Sequence, residues 1–368
     1  MVLLRGVFQL YFLYDVAEEF NVDQIRNILG ERASQARQVF PRRTPEYIRF
    51  EEPPIIDQAV PTLLFNGQPV ACSIKYYRFA VCVVQLDVPF DCGWSDLLRQ
   101  ASHWMDTPEL EPLTRELLRE RLKEISSAAL RPNTDWLQES YFITAVDQVS
   151  EPGGPNITAT DLLGLYGGEI AQLVRGEAVP LAQRTTEEAL QSSLSYYPSD
   201  LVVIGAAAAL VFDRSDDASA TFQVLEYAKV QLLEFRYYDG LMTRLLSEVY
   251  DALEAKRTML AQRWNLPRQS ERFNTIRLDL MELTERVDNA VKFVSDAYYA
   301  RVYRLASNRI GLPEYRALVD EKLRTMEELY DFMVDRFNEA RSFIVELSIA
   351  ILAFVDVILL FVLLVRGK

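Results

Sequence analysis

Two carboxylic acids, Glu346 and Asp356, stand ten residues apart inside the apolar run "FIVELSIAILAFVDVILLFVLLV" (Phe343–Val365). An acid in such a run either pairs with a neighbouring helix or meets water and handles ions or protons. On a helix advancing 100° per residue, the two lie only about 80° apart. Ser342 and Ala353 fall on the same stripe, so one face of this helix is small and acidic. It is expected to be an assembly surface or a pore lining.

Other chemistry is sparse. "DRSDD" (Asp213–Asp217) clusters carboxylates that could hold a divalent ion. Acids so placed more commonly open a helix, where they complement its N-terminal dipole. His103, the only histidine, sits in "ASHWMD" on an amphipathic stretch and reads as a surface or packed residue rather than a catalytic one. Cys72, Cys82 and Cys92 form no CxxC pair, which argues for a reducing compartment rather than a disulfide framework. No phosphate-cradling loop, dinucleotide fingerprint or nucleophile elbow occurs. "GLYGGE" (Gly164–Glu169) reads as a glycine-bearing turn or helix break, and "RYYD" (Arg236–Asp239) as an interhelical contact. The expectation is a non-enzymatic protein with no cofactor, metal or identified small-molecule substrate. A net charge of −14 over 368 residues argues against nucleic-acid binding.

The first two hundred residues alternate strand and helix signals. "VFQLYFLYDV" (Val7–Val16) reads as a strand. Asn21 followed three residues later by Gln24 starts a helix over 22–29, and Gly30 stops it. Asn66-Gly67 marks a hairpin between alternating runs. Further strands are expected at Glu46–Glu52, Phe79–Val88 and Ser140–Val149. Helical periodicity covers Trp94 to about Leu130 and Asp161–Val174. The unbroken apolar run "DLVVIGAAAALVFD" (Asp200–Asp213) reads as one buried strand. The expected fold is α+β: an N-terminal mixed sheet with helices packed on it.

From about Asp216 long helices take over, as a coiled-coil-like antiparallel stalk. Leu323, Met326, Tyr330, Met333, Phe337 and Ala340 alternate spacings of three and four, which builds an apolar seam. That seam is satisfied by packing within the chain, by oligomerisation, or by both. The domains expected are a head over 1–215, a stalk over 216–341, and a transmembrane helix with a short tail over 342–368. The apolar run of about 23 residues would measure roughly 34 Å, enough to cross a bilayer core.

"VELSIAILAFVDV" (Val345–Val357) resembles the C-terminal signature of the "required for meiotic nuclear division" family, with Glu346 and Asp356 at its two acidic places. "YYRFAVCVV" (Tyr76–Val84) resembles that family's aromatic-then-valine strand, with Ala80 in place of a glycine. The family's usual aromatic after the first acid is Leu347 here. The resemblance implies a membrane-anchored, oligomer-forming protein without established catalysis. Together these readings predict a single-pass scaffold or assembly factor anchored by its C-terminus, with its bulk in the cytoplasm or matrix. Its partners would be the bilayer and either its own copies or another membrane subunit. The alternative is a channel or transporter subunit with Glu346 and Asp356 facing a pore.

Overall fold

The computed structural model describes residues 2–35, 53–65, 67–150, 157–213, 218–254 and 297–329, together with 278, 281, 349, 350, 352 and 353. The chain divides into two compact units. The first joins Met1–Tyr238 with Glu282–Arg316, and the second joins Asp239–Met281 with Ala317–Lys368.

The first unit is built on β1 (Leu3–Phe20), β2 (Ala33–Gln35), β3 (Ile55–Asp57), β4 (Leu63–Phe65), β5 (Gln68–Tyr76), β6 (Val81–Cys92), β7 (Ala129–Ser150), β8 (Ser193–Leu194), β9 (Asp200–Ile204) and β10 (Ala208–Asp213). They form one ten-stranded sheet in the order β2-β3-β5-β6-β1-β7-β10-β9-β8, with β4 paired to β5. The β7–β10 pair is parallel and the other pairs are antiparallel. Helices α1 (Val22–Leu29), α2 (Trp94–Met105), α3 (Leu110–Glu124), α4 (Ala159–Arg175) and α5 (Gln183–Leu190) follow the strands, then α6 (Ala218–Glu254) and α7 (Ala297–Ile310). The fold is mixed α+β.

Strand alternation gives the sheet two different faces. Leu4, Phe8, Leu10, Phe12 and Tyr14 of β1 join Ile74, Tyr76, Cys82, Val84 and Leu86 in the apolar core, which also takes buried residues of α1 to α5. The odd-numbered residues of β1 point the other way. Local signals explain several elements. The Asn21 side chain accepts the Gln24 N–H at 3.0 Å to cap α1, and Gly30 ends it at φ 57°. Thr158 and Asp161 form a reciprocal capping box on α4. Gly67, at φ 78°, serves the β4–β5 hairpin.

Two expectations change in detail. The helical stretch after Trp94 is two helices, because Asp106 closes α2 and Leu110 opens α3. The run Asp200–Asp213 is a hairpin, β9 against β10, rather than one strand. Gly205 turns it where side chains have no room: a Cβ there would lie 2.1 Å from the Val174 carbonyl oxygen and 2.8 Å from that of Ala208.

The membrane expectation is corrected. Among the described residues no helix is long and apolar enough to cross a membrane. The 37-residue α6 has the length but carries charge throughout, from Glu226 and Lys229 to Asp251 and Glu254. Of the run Phe343–Val365, only Ile349, Ala350, Leu352 and Ala353 are described; these four are helical and exposed, and the rest lies outside the described residues. The single-pass localisation, the membrane-anchored scaffold and the channel alternative lose their basis with it.

Gly205→Ala is expected to lose at least about 3 kcal/mol of stability in urea unfolding, because backbone must move to admit the methyl group. Gly164 of α4 has nothing within 4 Å of an added Cβ, so Gly164→Ala is the control and should gain up to about 1 kcal/mol.

Candidate functional site

Register places a polar layer on the odd-numbered face. One rung crosses the sheet as Lys75, Val83, Leu13 and Glu139. The next holds Ser73, Gln85, Tyr11 and Tyr141, and the third Ala71, Asp87, Gln9 and Ile143. Beyond the first rung, Asp15 stands between Val81 and Leu137. These residues alternate with apolar ones and mimic a solvated strand face, yet Tyr11, Leu13 and Tyr141 are buried.

α6 covers this layer and answers it charge for charge. Glu226, 2% exposed, receives Lys75 on one carboxylate oxygen and the Tyr77 hydroxyl on the other at 2.8 Å. Glu139 receives Lys229 at 2.9 Å on one oxygen and pairs with Arg236 through the other. The two cations are seven residues apart, two turns along one face of the helix. Lys75 lies 5.3 Å over the Tyr11 ring and Lys229 lies 5.5 Å over the Tyr141 ring. The Tyr11 hydroxyl donates to Gln9, and the Gln85 amide donates to Asp87, both at 2.8 Å.

Titration follows the burial. Burial, then the Glu226 charge, pushes the Tyr11 and Tyr77 phenols well up, so both stay neutral donors. Burial pulls the Lys229 ammonium down to about 8, and the Glu139 carboxylate is its compensating charge. Asp15 has no such cation: burial pushes its carboxyl up to about 7. Pairs of this kind are closed contacts. Their lone pairs and protons are committed to one another, and they orient α6 rather than offer a nucleophile to solvent.

An exposed feature lies at the other end of the sheet. Tyr196 and Tyr197, 56% and 62% exposed, occupy the turn between edge strand β8 and β9. Both of their N–H groups donate to the Asp200 carboxylate, at 2.7 and 2.8 Å. The Ser195 hydroxyl bonds the Tyr197 and Asp200 carbonyls at 2.6 and 2.7 Å. The Tyr196 ring stands edge-on to Tyr197 at 4.7 Å and to Tyr298 of α7 at 5.5 Å. The backbone under the two exposed rings is therefore fixed.

The residues singled out from sequence fall elsewhere. Ser342, Glu346, Asp356, Tyr330, Met333, Phe337 and Ala340 lie outside the described residues, and Ala353 is helical and exposed. Leu323 is half-buried and Met326 buried in the second unit, where Lys322 donates to Asp239 at 2.6 Å. Within Arg236–Asp239, Arg236 pairs with Glu139 of the sheet, while Asp239 takes Lys322 of the helical stretch 312–329, an interhelical contact. His103 is exposed beside Trp104. Asp213 is described, whereas 214–217 are not, and among the described residues no His, Cys, Asp or Glu cluster is arranged for a metal ion.

A family model described as "Uncharacterized protein MJ0711, N-terminal domain" matches residues 5–219. The chain is 20% identical over 244 residues to the uncharacterized protein MJ0711 of Methanocaldococcus jannaschii, an alignment spanning 66% of this chain and 72% of that protein. No solved structure matches. The resemblance to the "required for meiotic nuclear division" family is thereby corrected. Its main support, Val345–Val357, lies outside the matched region, and apolar helical runs resemble one another across unrelated proteins. Its second support, Tyr76–Val84, is not one strand: β5 ends at Tyr76 and β6 starts at Val81.

Glu226→Ala should cost about 3–5 kcal/mol in urea unfolding, because it strands the Lys75 charge beneath α6. The apolar triple variant Lys75→Met, Tyr77→Phe, Glu226→Leu should recover most of that loss, since nothing polar is then left unpaired.

Proposed function

Since the chain belongs to the MJ0711 N-terminal domain family, whose match at residues 5–219 runs from within β1 past the end of β10, we propose that its head is a non-enzymatic protein-binding platform and that its partner is a second copy of itself. The observation that carries this reading is the exposed Tyr196–Tyr197 pair, held by Asp200 and Ser195 at the β8 edge of the sheet. Tyrosine anchors interfaces well: it brings a large contact area, loses little rotamer freedom, and keeps a hydroxyl for the wet rim. Here the ordering cost of the backbone is met before binding. The head's buried ions support the same reading, because the Glu226 and Glu139 groups are committed to holding α6.

Sedimentation equilibrium of the full chain tests it. The expected mass is two or more copies at roughly micromolar protein, the range of a modest interface. Tyr196→Ser with Tyr197→Ser, both exposed, should shift the protein to monomer with its far-UV circular dichroism spectrum unchanged. A monomer throughout, or an oligomer indifferent to both substitutions, would overturn the proposal.

A further inference from the structure

Asp15 is a buried acid of the polar layer, 4% exposed, that the charge pairs with α6 leave out, and it sits at an irregularity in the pairing of the two longest strands. β1 and β7 run in register from Gly6 to Asp15, where Asp15 faces Leu137; the next aligned pair is Ala17 with Pro132. Val16 alone therefore stands opposite the four residues 133–136, so β7 carries a four-residue excursion. Arg131, two residues before it, has φ 47°, a left-handed backbone that costs a non-glycine residue energy. The excursion is fastened by side chains, with the Trp136 ring edge-on to Tyr14 at 6.0 Å and packed against the apolar core. Asn133 donates its side-chain amide to Asp15 at 3.2 Å. Trp136 donates to the Asn133 carbonyl at 3.2 Å, so its indole follows Asn133. Arg131 pairs with exposed Glu18 at 2.8 Å.

Among the described residues, the groups around Asp15 supply no cation paired with it, only the Asn133 amide. In the β5–β6 turn, Tyr77 is committed to Glu226 of α6. In β6, Cys82 is a buried thiol pushed up by burial and then by the Asp15 charge itself. In β7, Glu139 is like-charged and already holds Lys229 and Arg236 of α6. Arg115 and Arg119 of α3 lie against the Trp136 ring at 6.0 and 5.6 Å. Arg78 of the β5–β6 turn pairs with Glu19.

We propose that Asp15 is a proton-controlled pin for the β1–β7 junction. Protonated, it stays buried as the acceptor of the Asn133 amide, and the excursion 133–136 stays closed onto the sheet. Ionised, it draws water to the junction, and the excursion opens and exposes Trp136 with the arginine-lined surface beneath it. The proton passes between the carboxyl group and bulk water, and no covalent step is involved. The sign follows from burial. The closed form holds the proton up to about pH 7, whereas an opened, hydrated aspartate loses it near pH 4. Opening therefore becomes easier by up to about tenfold per pH unit between those values and levels off above them.

Hydrogen exchange of the full chain, read on peptides covering 130–137 and corrected for intrinsic exchange, tests this. The opening constant should rise by about tenfold or more from pH 5 to pH 7 and be flat above pH 8. Asp15→Asn keeps the contact and removes the charge, so it should abolish the rise. Asn133→Ala loosens the segment at every pH and should keep it. Protection that ignores pH, an equal rise in Asp15→Asn, or a rise shared by β6 peptides would each overturn the proposal.

Discussion

The pairing of α6 with the odd-numbered face of the sheet is the contact on which the rest of the molecule depends. A sheet face that carries Lys75, Tyr11, Gln85, Asp87 and Glu139 would ordinarily lie in water. Once a helix covers it, each ion loses hydration worth several kcal/mol, and only close, oriented counter-charges return that loss. Glu226 and Glu139 do so with partners on both of their oxygens. A greasy interface would accept α6 at many rotations. This one accepts few, because Lys229 and Arg236 must reach the same carboxylate from two turns apart.

The opposite face works by different physics. There Phe8, Leu10, Phe12 and Tyr14 meet Leu97, Leu118, Ile170 and Leu173 in a continuous apolar core. Area buried supplies the stability and local signals supply the order: Asn21 starts α1, and Thr158 starts α4. The sheet thus divides its labour, with one face for stability and the other for orienting the first part of α6. The tyrosine pair at the β8 edge belongs to neither core, and its rigidity comes from the Asp200 carboxylate beneath the turn.

Much of the apolar face was legible in the sequence, because caps and turns act over three or four residues. Asn21, Gln24 and Gly30 marked α1, and Asn66-Gly67 marked the hairpin. The polar layer was not, because its partners are far apart: Lys75 and Glu226 are 151 residues from one another. A strand that alternates charged and apolar residues reads as half-solvated, and nothing local announces a covering helix. The hairpin Asp200–Asp213 was missed for the converse reason. Both strands are buried, so its turn carries Gly205 and alanines rather than polar turn residues. Ala80 shows how a partial signal misleads. The glycine expected there corresponds to a real left-handed backbone, φ 58°, but it belongs to the β5–β6 turn rather than to a strand interior. At the C-terminus, composition outweighed pattern: an apolar run suggested a membrane span and with it an unrelated family.

The most direct test of the ionic contact is native-state hydrogen exchange of the full chain, comparing amides 224–236 of α6 with those of β1 and β6. If the buried pairs make the root of α6 part of the head, its slowest amides open only with β1 and β6, at the free energy of global unfolding. Amides of 224–236 that exchange through a separate opening, several kcal/mol cheaper than that of β1, would contradict it.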